Sequence, residues 1–230
     1  MRKVEENCYS NLMENVSDPD LRARLTPDYK VACKRLIMTD KFYPAIQKPN
    51  AELVTDGIER IEPGGVRTAD GRLHELDVLV LATGYHAHDF MRPMKVTGRD
   101  GLRIDEAWAE ANEAYRSVAV PDFPNFFMVA GPNSPIGNFS LIQVAEVQLN
   151  YIMQLITQIQ RAEGVEVEPT PEATKRFNDE IKAAMPGTVW VTGCNSWYLD
   201  KNGNPALYPW DFQRFRSDMA APDLDDFHIS

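Results

Sequence analysis

Asp77-Val78-Leu79-Val80-Leu81-Ala82-Thr83-Gly84 sets the expected fold class. A strand with one wet face alternates polar and apolar residues. The unbroken apolar run Val78 to Ala82 instead predicts a strand covered on both faces, as in an α/β sheet. Asn125-Phe126-Phe127-Met128-Val129-Ala130-Gly131 is a second run of this kind. It leads through Pro132-Asn133-Ser134-Pro135-Ile136-Gly137 into a long segment striped with apolar side chains. The architecture read from this pattern is α/β, but irregular.

Working outward, residues 1–24 predict a helix followed by a second short turn at Asp18-Pro19, with Val4, Cys8, Leu12 and Val16 on one face. Thr26-Pro27-Asp28 breaks that pattern, and short strands are expected from Tyr29 onward. Residues 51–55 and 57–61 are strand-like. Asp70-Gly71 between residues 66–68 and 73–76 is a hairpin signal, because Gly takes positive φ readily. The long helix is expected over residues 139–160, with Leu141, Ile142, Ala145, Leu149, Ile152, Ile156 and Ile159 inward and Glu163-Gly164 at its end. Another helix is expected over residues 170–185, with Pro171 in its first turn. Residues 188–210, rich in aromatics, Gly and Asn, are expected to be irregular.

The 230 residues are 43% hydrophobic and 25% charged, ordinary for a globular protein with a real core. The net charge of −10 argues against unassisted binding to nucleic acid or an anionic membrane. The first seven residues have no apolar core of the kind a signal peptide carries, and the longest apolar runs are too short to cross a bilayer. Three cysteines, Cys8, Cys33 and Cys194, lie far apart, and an odd count argues against a disulfide framework. No cluster suggests a metal site. A reducing cytoplasm is the expected compartment. A dinucleotide-binding βαβ unit normally carries G-x-G-x-x-G, so that backbone can approach the pyrophosphate, and that motif is absent from this sequence.

Several segments, in order, resemble one family. Leu79 to Tyr85 resembles the "ATG" signature of two-dinucleotide flavoproteins. Tyr29-Lys30-Val31-Ala32-Cys33-Lys34-Arg35 followed by Phe42-Tyr43-Pro44 and Lys48-Pro49-Asn50 looks like the segment "Y-P-x-G-x-K-R … YY … N-R-x-N-V". Phe123-Pro124-Asn125 with Gly131-Pro132-Asn133-Ser134-Pro135 is similar to "F-P-N-L-F … G-P-x-S-P". Glu146 with Tyr151, and Ser196-Trp197-Tyr198, match two later motifs. The resemblance is to the Baeyer–Villiger monooxygenases and their flavin-containing monooxygenase relatives. It covers essentially the whole chain. One departure is Ala32, where the family has Gly.

The resemblance implies a partial two-dinucleotide-binding, Rossmann-like FAD/NADP flavoprotein fold, with both G-x-G-x-x-G segments absent. Residues 1–30 would be a helical linker, 31–86 the C-terminal part of an NADP-binding domain, and 87–230 that of an FAD-binding domain. It implies a C-terminal part of an FAD- and NADPH-dependent monooxygenase that oxygenates ketones to esters or lactones through a C4a-peroxyflavin. An N- or S-oxygenating enzyme is the near alternative, and a non-catalytic fragment that binds no cofactor alone is the distant one. Arg35 aligns with an active-site arginine; a guanidinium stays protonated in a poorly solvated pocket and offers several donors to an oxyanion. Lys34 aligns with a lysine contacting NADP, and on a regular strand it would face away from Arg35. Thr83, Gly84, Gly131, Asn138 and Trp197 are the further cofactor-binding candidates. The implied partners are a small-molecule ketone and O2, with a missing N-terminal half or a homo-oligomer completing the protein. His74, His86, His88 and His228 show no spacing that makes a base, and Cys33 and Cys194 read as structural.

Overall fold

The computed structural model describes residues 2–137, 139–161 and 165–230. They fall into two compact units. The first holds the chain up to Val31 together with Leu36–Tyr85. Its helices are α1 (Arg2–Asn15), α2 (Pro19–Leu25) and α3 (Phe42–Ile46). Asp18 caps α2 by accepting from the Asp20 N–H at 2.9 Å, and Pro19 fills a first-turn position that needs no donor. Leu12, Val16 and Leu21 are buried together, with Leu25, Tyr43 and Leu53 packed against them. The helical pattern read from residues 1–24 is therefore present, with its C-terminal half inward.

The expected hairpin is also present. Strands β1 (Ile58–Glu62), β2 (Gly65–Thr68) and β3 (Leu73–Glu75) form an antiparallel sheet in that order, with Val66 opposite His74. At the β2–β3 turn the Gly71 N–H donates to the Thr68 carbonyl at 2.9 Å with φ of +87°.

Two strand expectations in this unit fail. Residues 51–55 form no ladder; Leu53 instead joins the helical cluster, and its carbonyl accepts from Arg24 Nη1 at 2.7 Å. Residues 77–84 also form no ladder, and they are not buried: Val78 is 75%, Val80 81% and Leu81 71% exposed. A doubly covered strand needs neighbours on both edges and layers on both faces. Among the described residues nothing pairs with this run.

The second unit comprises Ala32–Arg35 and His86–Ser230. Its elements are α4 (Ile104–Ala107), α5 (Leu141–Arg161), β4 (Val167–Pro169), α6 (Pro171–Ala184), α7 (Phe212–Asp218) and β5 (Phe227–Ile229). Helix α6 starts as expected: the Thr170 hydroxyl caps it by accepting from the Ala173 N–H at 3.1 Å, and Pro171 follows. Strands β4 and β5 form an antiparallel pair that the sequence reading missed. The main core gathers Tyr151, Leu155, Phe177, Ile181, Trp190, Tyr198 and Leu207, and a smaller one holds Ile104, Trp108, Val120 and Phe123. Tyr115 sits in the main core, where burial and a hydrogen bond to Asp226 push its phenol up to about 12.

Helix α5 exists, and the C-terminal part of the expected stripe is inward, with Ile152 buried and Ile156 and Ile159 packed against the core; its N-terminal part is not. Val144, Gln148, Tyr151, Ile152 and Leu155 are buried, whereas Leu141, Ile142 and Leu149 are 52%, 71% and 48% exposed. The helix has two apolar faces, and periodicity alone does not say which one is covered. Its expected end at Glu163-Gly164 lies outside the described residues.

The second expected strand, 125–131, is likewise corrected. Only Phe127 makes a bridge, to Ala119, and Asn125 and Ala130 have φ of +56° and +55°. Its backbone is committed elsewhere: the Asn125 N–H donates to the Val167 carbonyl and Asn125 Oδ1 accepts the Val167 N–H, both at 2.9 Å. The Met128 N–H donates to the Val118 carbonyl at 2.9 Å. Local turns and the edge of β4 thus satisfy the groups that a parallel ladder would have used.

Among the described residues no helix is long and apolar enough to cross a membrane, and no cluster of His, Cys, Asp or Glu is arranged to hold a metal ion.

Candidate functional site

Four residues, Ala32 to Arg35, belong to the second unit although their neighbours on both sides belong to the first. They form a turn, not a strand, so the alternation expected for Lys34 and Arg35 does not apply. Ala32 has φ of +63°, the left-handed region where a Cβ is strained, at the position where the family pattern has Gly. Cys33 is fully buried and bonded to Cys194, with a Cα–Cα distance of 6.2 Å. The odd count argued against a disulfide framework, and the fold nevertheless joins two of the three cysteines. An odd count still leaves two residues free to meet, and the fold brings them together across 161 positions; Cys8 is exposed and free.

Arg35 is exposed, and its Nη1 donates to the carbonyls of Ile136 and Gly137 at 3.0 and 3.2 Å. Those carbonyls end the loop that begins at Gly131, and the loop is fixed from behind. Gln148, fully buried on α5, accepts the Ala130 N–H at 2.7 Å and donates to Ser134 Oγ at 3.0 Å. Asn133 donates to Asn178 Oδ1 at 2.9 Å, and Asn178, buried on α6, donates in turn to the Thr174 and Ala114 carbonyls at 2.8 and 3.3 Å. Two helices therefore grip the loop through buried amides, leaving its far end to seat Arg35. A Cβ on Gly131 would lie 2.5 Å from both Met128 Sδ and the Ser117 carbonyl, so the protein itself fills the space that this glycine opens. A Cβ on Gly137 would meet Leu207 at 3.0 Å and the Tyr198 ring at 3.3 Å.

Trp197 continues the same surface. Its ring packs edge-on against Tyr198 with centroids 4.5 Å apart and remains 44% exposed. Tyr198 is buried, as expected of a core residue. The Trp197 carbonyl is 2.8 Å from a ring nitrogen of His88, whose own carbonyl accepts from Asn112 Nδ2 at 2.7 Å. His88 thus has a positioning contact that its spacing in the sequence did not reveal. Beside it lies a cleft of about 580 Å³ bordered by His88, Asn112, Asn133, Asn178 and Lys182.

The fold accordingly brings Arg35, the 131–137 loop and the Tyr198–Trp197 pair together in one unit, with Lys34 half-buried next to Arg35. Thr83 and Gly84 lie in the other unit, exposed, with Gly84 at φ of +93° and open space where a Cβ would be. Asn138 lies outside the described residues. As a donor set, an exposed guanidinium beside a lysine suits an anionic oxygen or phosphate, so these residues fit the groups that the sequence motifs imply.

Known proteins resemble the chain over nearly all of its length. A protein of Mycobacterium tuberculosis named as an uncharacterized monooxygenase is 51% identical over 213 residues, 93% of this chain and 43% of its own length. A Baeyer-Villiger monooxygenase of Streptomyces coelicolor is 37% identical over 229 residues, 98% of this chain and 44% of its own length. The chain is related to Baeyer–Villiger monooxygenases. The closed crystal structure of a cyclohexanone monooxygenase matches 96% of this chain and 43% of that one, with a TM-score of 0.84 and 32% identity. An NADP+-bound cyclohexanone monooxygenase from Rhodococcus matches equally well, at 31% identity. The chain spans less than half the length of these relatives. No family model matches it. The relatives' structures share the mixed helix and strand content seen here.

Proposed function

We propose that this chain is the C-terminal part of an FAD- and NADPH-dependent monooxygenase that converts ketones to esters or lactones with O2. The observation that carries this reading is Arg35: a permanently charged guanidinium, exposed and held at one end by the carbonyls of Ile136 and Gly137. Two carbonyls orient the group without neutralising it, so the cation remains available to an anionic oxygen on its open side.

Bound FAD would activate oxygen, and NADPH would supply the reducing hydride. Arg35 would stabilise negative charge on the oxygen being transferred and on the ketone oxygen as it is attacked. Lys34 would pair with a nucleotide phosphate of NADPH. The open face of Trp197, steadied by Tyr198 and by His88 on its carbonyl, would bound the nicotinamide side. Thr83 and Gly84 would let a dinucleotide approach backbone, while Gly131 and Asn138 would be further cofactor-binding residues. The phosphate-binding loops would come from further polypeptide, an N-terminal half or a second copy. The exposed apolar run 78–81 and the relatives' greater length support that.

In the protein that carries this chain, Arg35→Ala should reduce lactone formation from cyclohexanone by roughly 100-fold or more, the scale of losing one preorganised oxyanion donor. NADPH consumption should continue, with hydrogen peroxide released in place of lactone. Lactone formation within twofold of the unaltered protein would overturn the assignment. Loss of ketone oxidation from both proteins, with a sulfide still oxygenated, would point to heteroatom oxygenation.

A further inference from the structure

The cleft of about 580 Å³ beside His88 lies wholly within the second unit and has no role in the function proposed above. Its volume is in the range of small-molecule sites. Part of its lining is apolar: Ile181 and Met185 are buried, and Phe90 and Val191 line it with them.

The amides of the lining are turned so that they present acceptors. Asn178, 1% exposed, gives its Nδ2 to the Thr174 and Ala114 carbonyls at 2.8 and 3.3 Å, so only its Oδ1 is left for Asn133. Asn133 must therefore turn its Nδ2 to Asn178, at 2.9 Å, and keeps its Oδ1 as an acceptor. Asn112 is turned in the same way by the His88 carbonyl, which accepts from its Nδ2 at 2.7 Å. Among the described residues neither Oδ1 receives a hydrogen bond.

Charge points to the same class of ligand. Lys182 is the only lysine or arginine lining the cleft among the described residues, and Glu113 pairs with it at 2.6 Å. Glu110 and Asp200 also line the cleft, with no ion pair among the described residues. Asp200 is held in place, its Oδ1 accepting from the Asn202 and Asn204 N–H groups at 2.8 Å each. Open acceptors with a negative surplus select a donating, cationic head, and the apolar lining selects an apolar body. The same surplus repels carboxylates and phosphates, so the cleft is unsuited to a nucleotide.

We propose that this cleft binds a primary alkylammonium. Its head donates to Asn112 and Asn133, with Glu110 and Asp200 supplying the counter-charge, and its chain lies along Phe90, Ile181 and Met185. Asn133 belongs to the loop whose far end seats Arg35, so the amine sits next to the candidate site without occupying it.

Isothermal titration calorimetry of the intact chain, without cofactor and at neutral pH, compares n-hexylamine, n-hexanol and hexanoate. The amine should saturate one site per chain with a Kd of about 1 mM or below. The alcohol, with the same body and no charge, should bind about tenfold more weakly, and hexanoate should show no saturable binding. Glu110→Lys, a change at an exposed position, should weaken the amine about fivefold or more and leave the alcohol within about twofold. Glu172→Lys makes the same reversal at an exposed position on α6 that does not line the cleft, and should leave the amine within about twofold. Equal weakening by both variants would mean that the net charge of −10, and not the cleft, attracts the amine, and would overturn the proposal. So would hexanoate binding as well as the amine, or no saturation by the amine at all. The ketone assay on Arg35→Ala is independent of these titrations, so this site and the proposed function can fail separately.

Discussion

Replacing Gln148 by leucine tests whether α5 fixes the 131–137 loop through one buried amide. The two side chains are similar in volume, so the change removes hydrogen bonding without opening a large cavity. It strands the Ala130 N–H, now bonded at 2.7 Å, and deprives the Ser134 hydroxyl, 1% exposed, of its 3.0 Å donor. An unsatisfied buried group costs about 1–3 kcal/mol, the rotatable hydroxyl at the low end and the fixed N–H at the high end. Added apolar burial returns about 1 kcal/mol. The expected net loss is about 2–3 kcal/mol, or roughly 5–10 °C in melting temperature for a unit of this size. Urea unfolding followed by circular dichroism measures it, and an unchanged slope confines the effect to the folded state. The double variant Gln148→Leu with Ser134→Ala should lose less than the two single variants together, because the hydroxyl is then no longer stranded. A cost of Gln148→Leu below about 0.5 kcal/mol would refute the view that this amide carries the loop.

Ala32→Gly should stabilise the chain by up to about 1 kcal/mol, since the left-handed penalty on alanine outweighs the extra freedom glycine has when unfolded; a lower urea midpoint would contradict this. Arg99→Met should lower the urea midpoint, because Glu168, 6% exposed and bonded to Arg99 at 2.5 and 3.1 Å, would be left buried with its main partner gone. Adding Glu168→Gln should recover most of that loss, and no recovery would mean that the pair is not the cause. The Tyr115 phenol is raised from 10.0 to about 12 by burial and its bond to Asp226, so the folded state holds its proton more tightly. Its contribution is complete below pH 10 and is lost as pH rises from 10 toward about 12. Tyr115→Phe should therefore lose less stability than the unaltered chain between pH 9.5 and 11.5 in urea titrations, and parallel curves would exclude the assignment.

Much of the local structure was legible because the forces that set it are local. The caps at Asp18 and Thr170, the Pro residues at 19 and 171, and the Asp70-Gly71 turn act within a few positions, and each marks a boundary found in the fold. The ordered motifs from Tyr29 to Tyr198 likewise indicated relationship to Baeyer–Villiger monooxygenases without any geometry. The sequence also named Arg35, Lys34 and Trp197, whose types suit anions and ring surfaces wherever they lie.

What the sequence could not decide depended on partners far along the chain. Five apolar residues state a preference for burial, but residues 78–82 meet no pairing strand, and Val78, Val80 and Leu81 stay largely exposed. Which apolar face of α5 is inward was set by what packs on it, with the polar Gln148 inside and Ile142 outside. Asn125 to Gly131 had the composition of a strand, yet its hydrogen bonds went to β4 and to Val118 because those groups were nearer. Cys33 met Cys194 only because the chain folds four residues of one region into the body of another. Composition fixes what each segment would bury or bond; only the tertiary structure supplies the partner, since contact across such separations is decided by the packing of the whole unit.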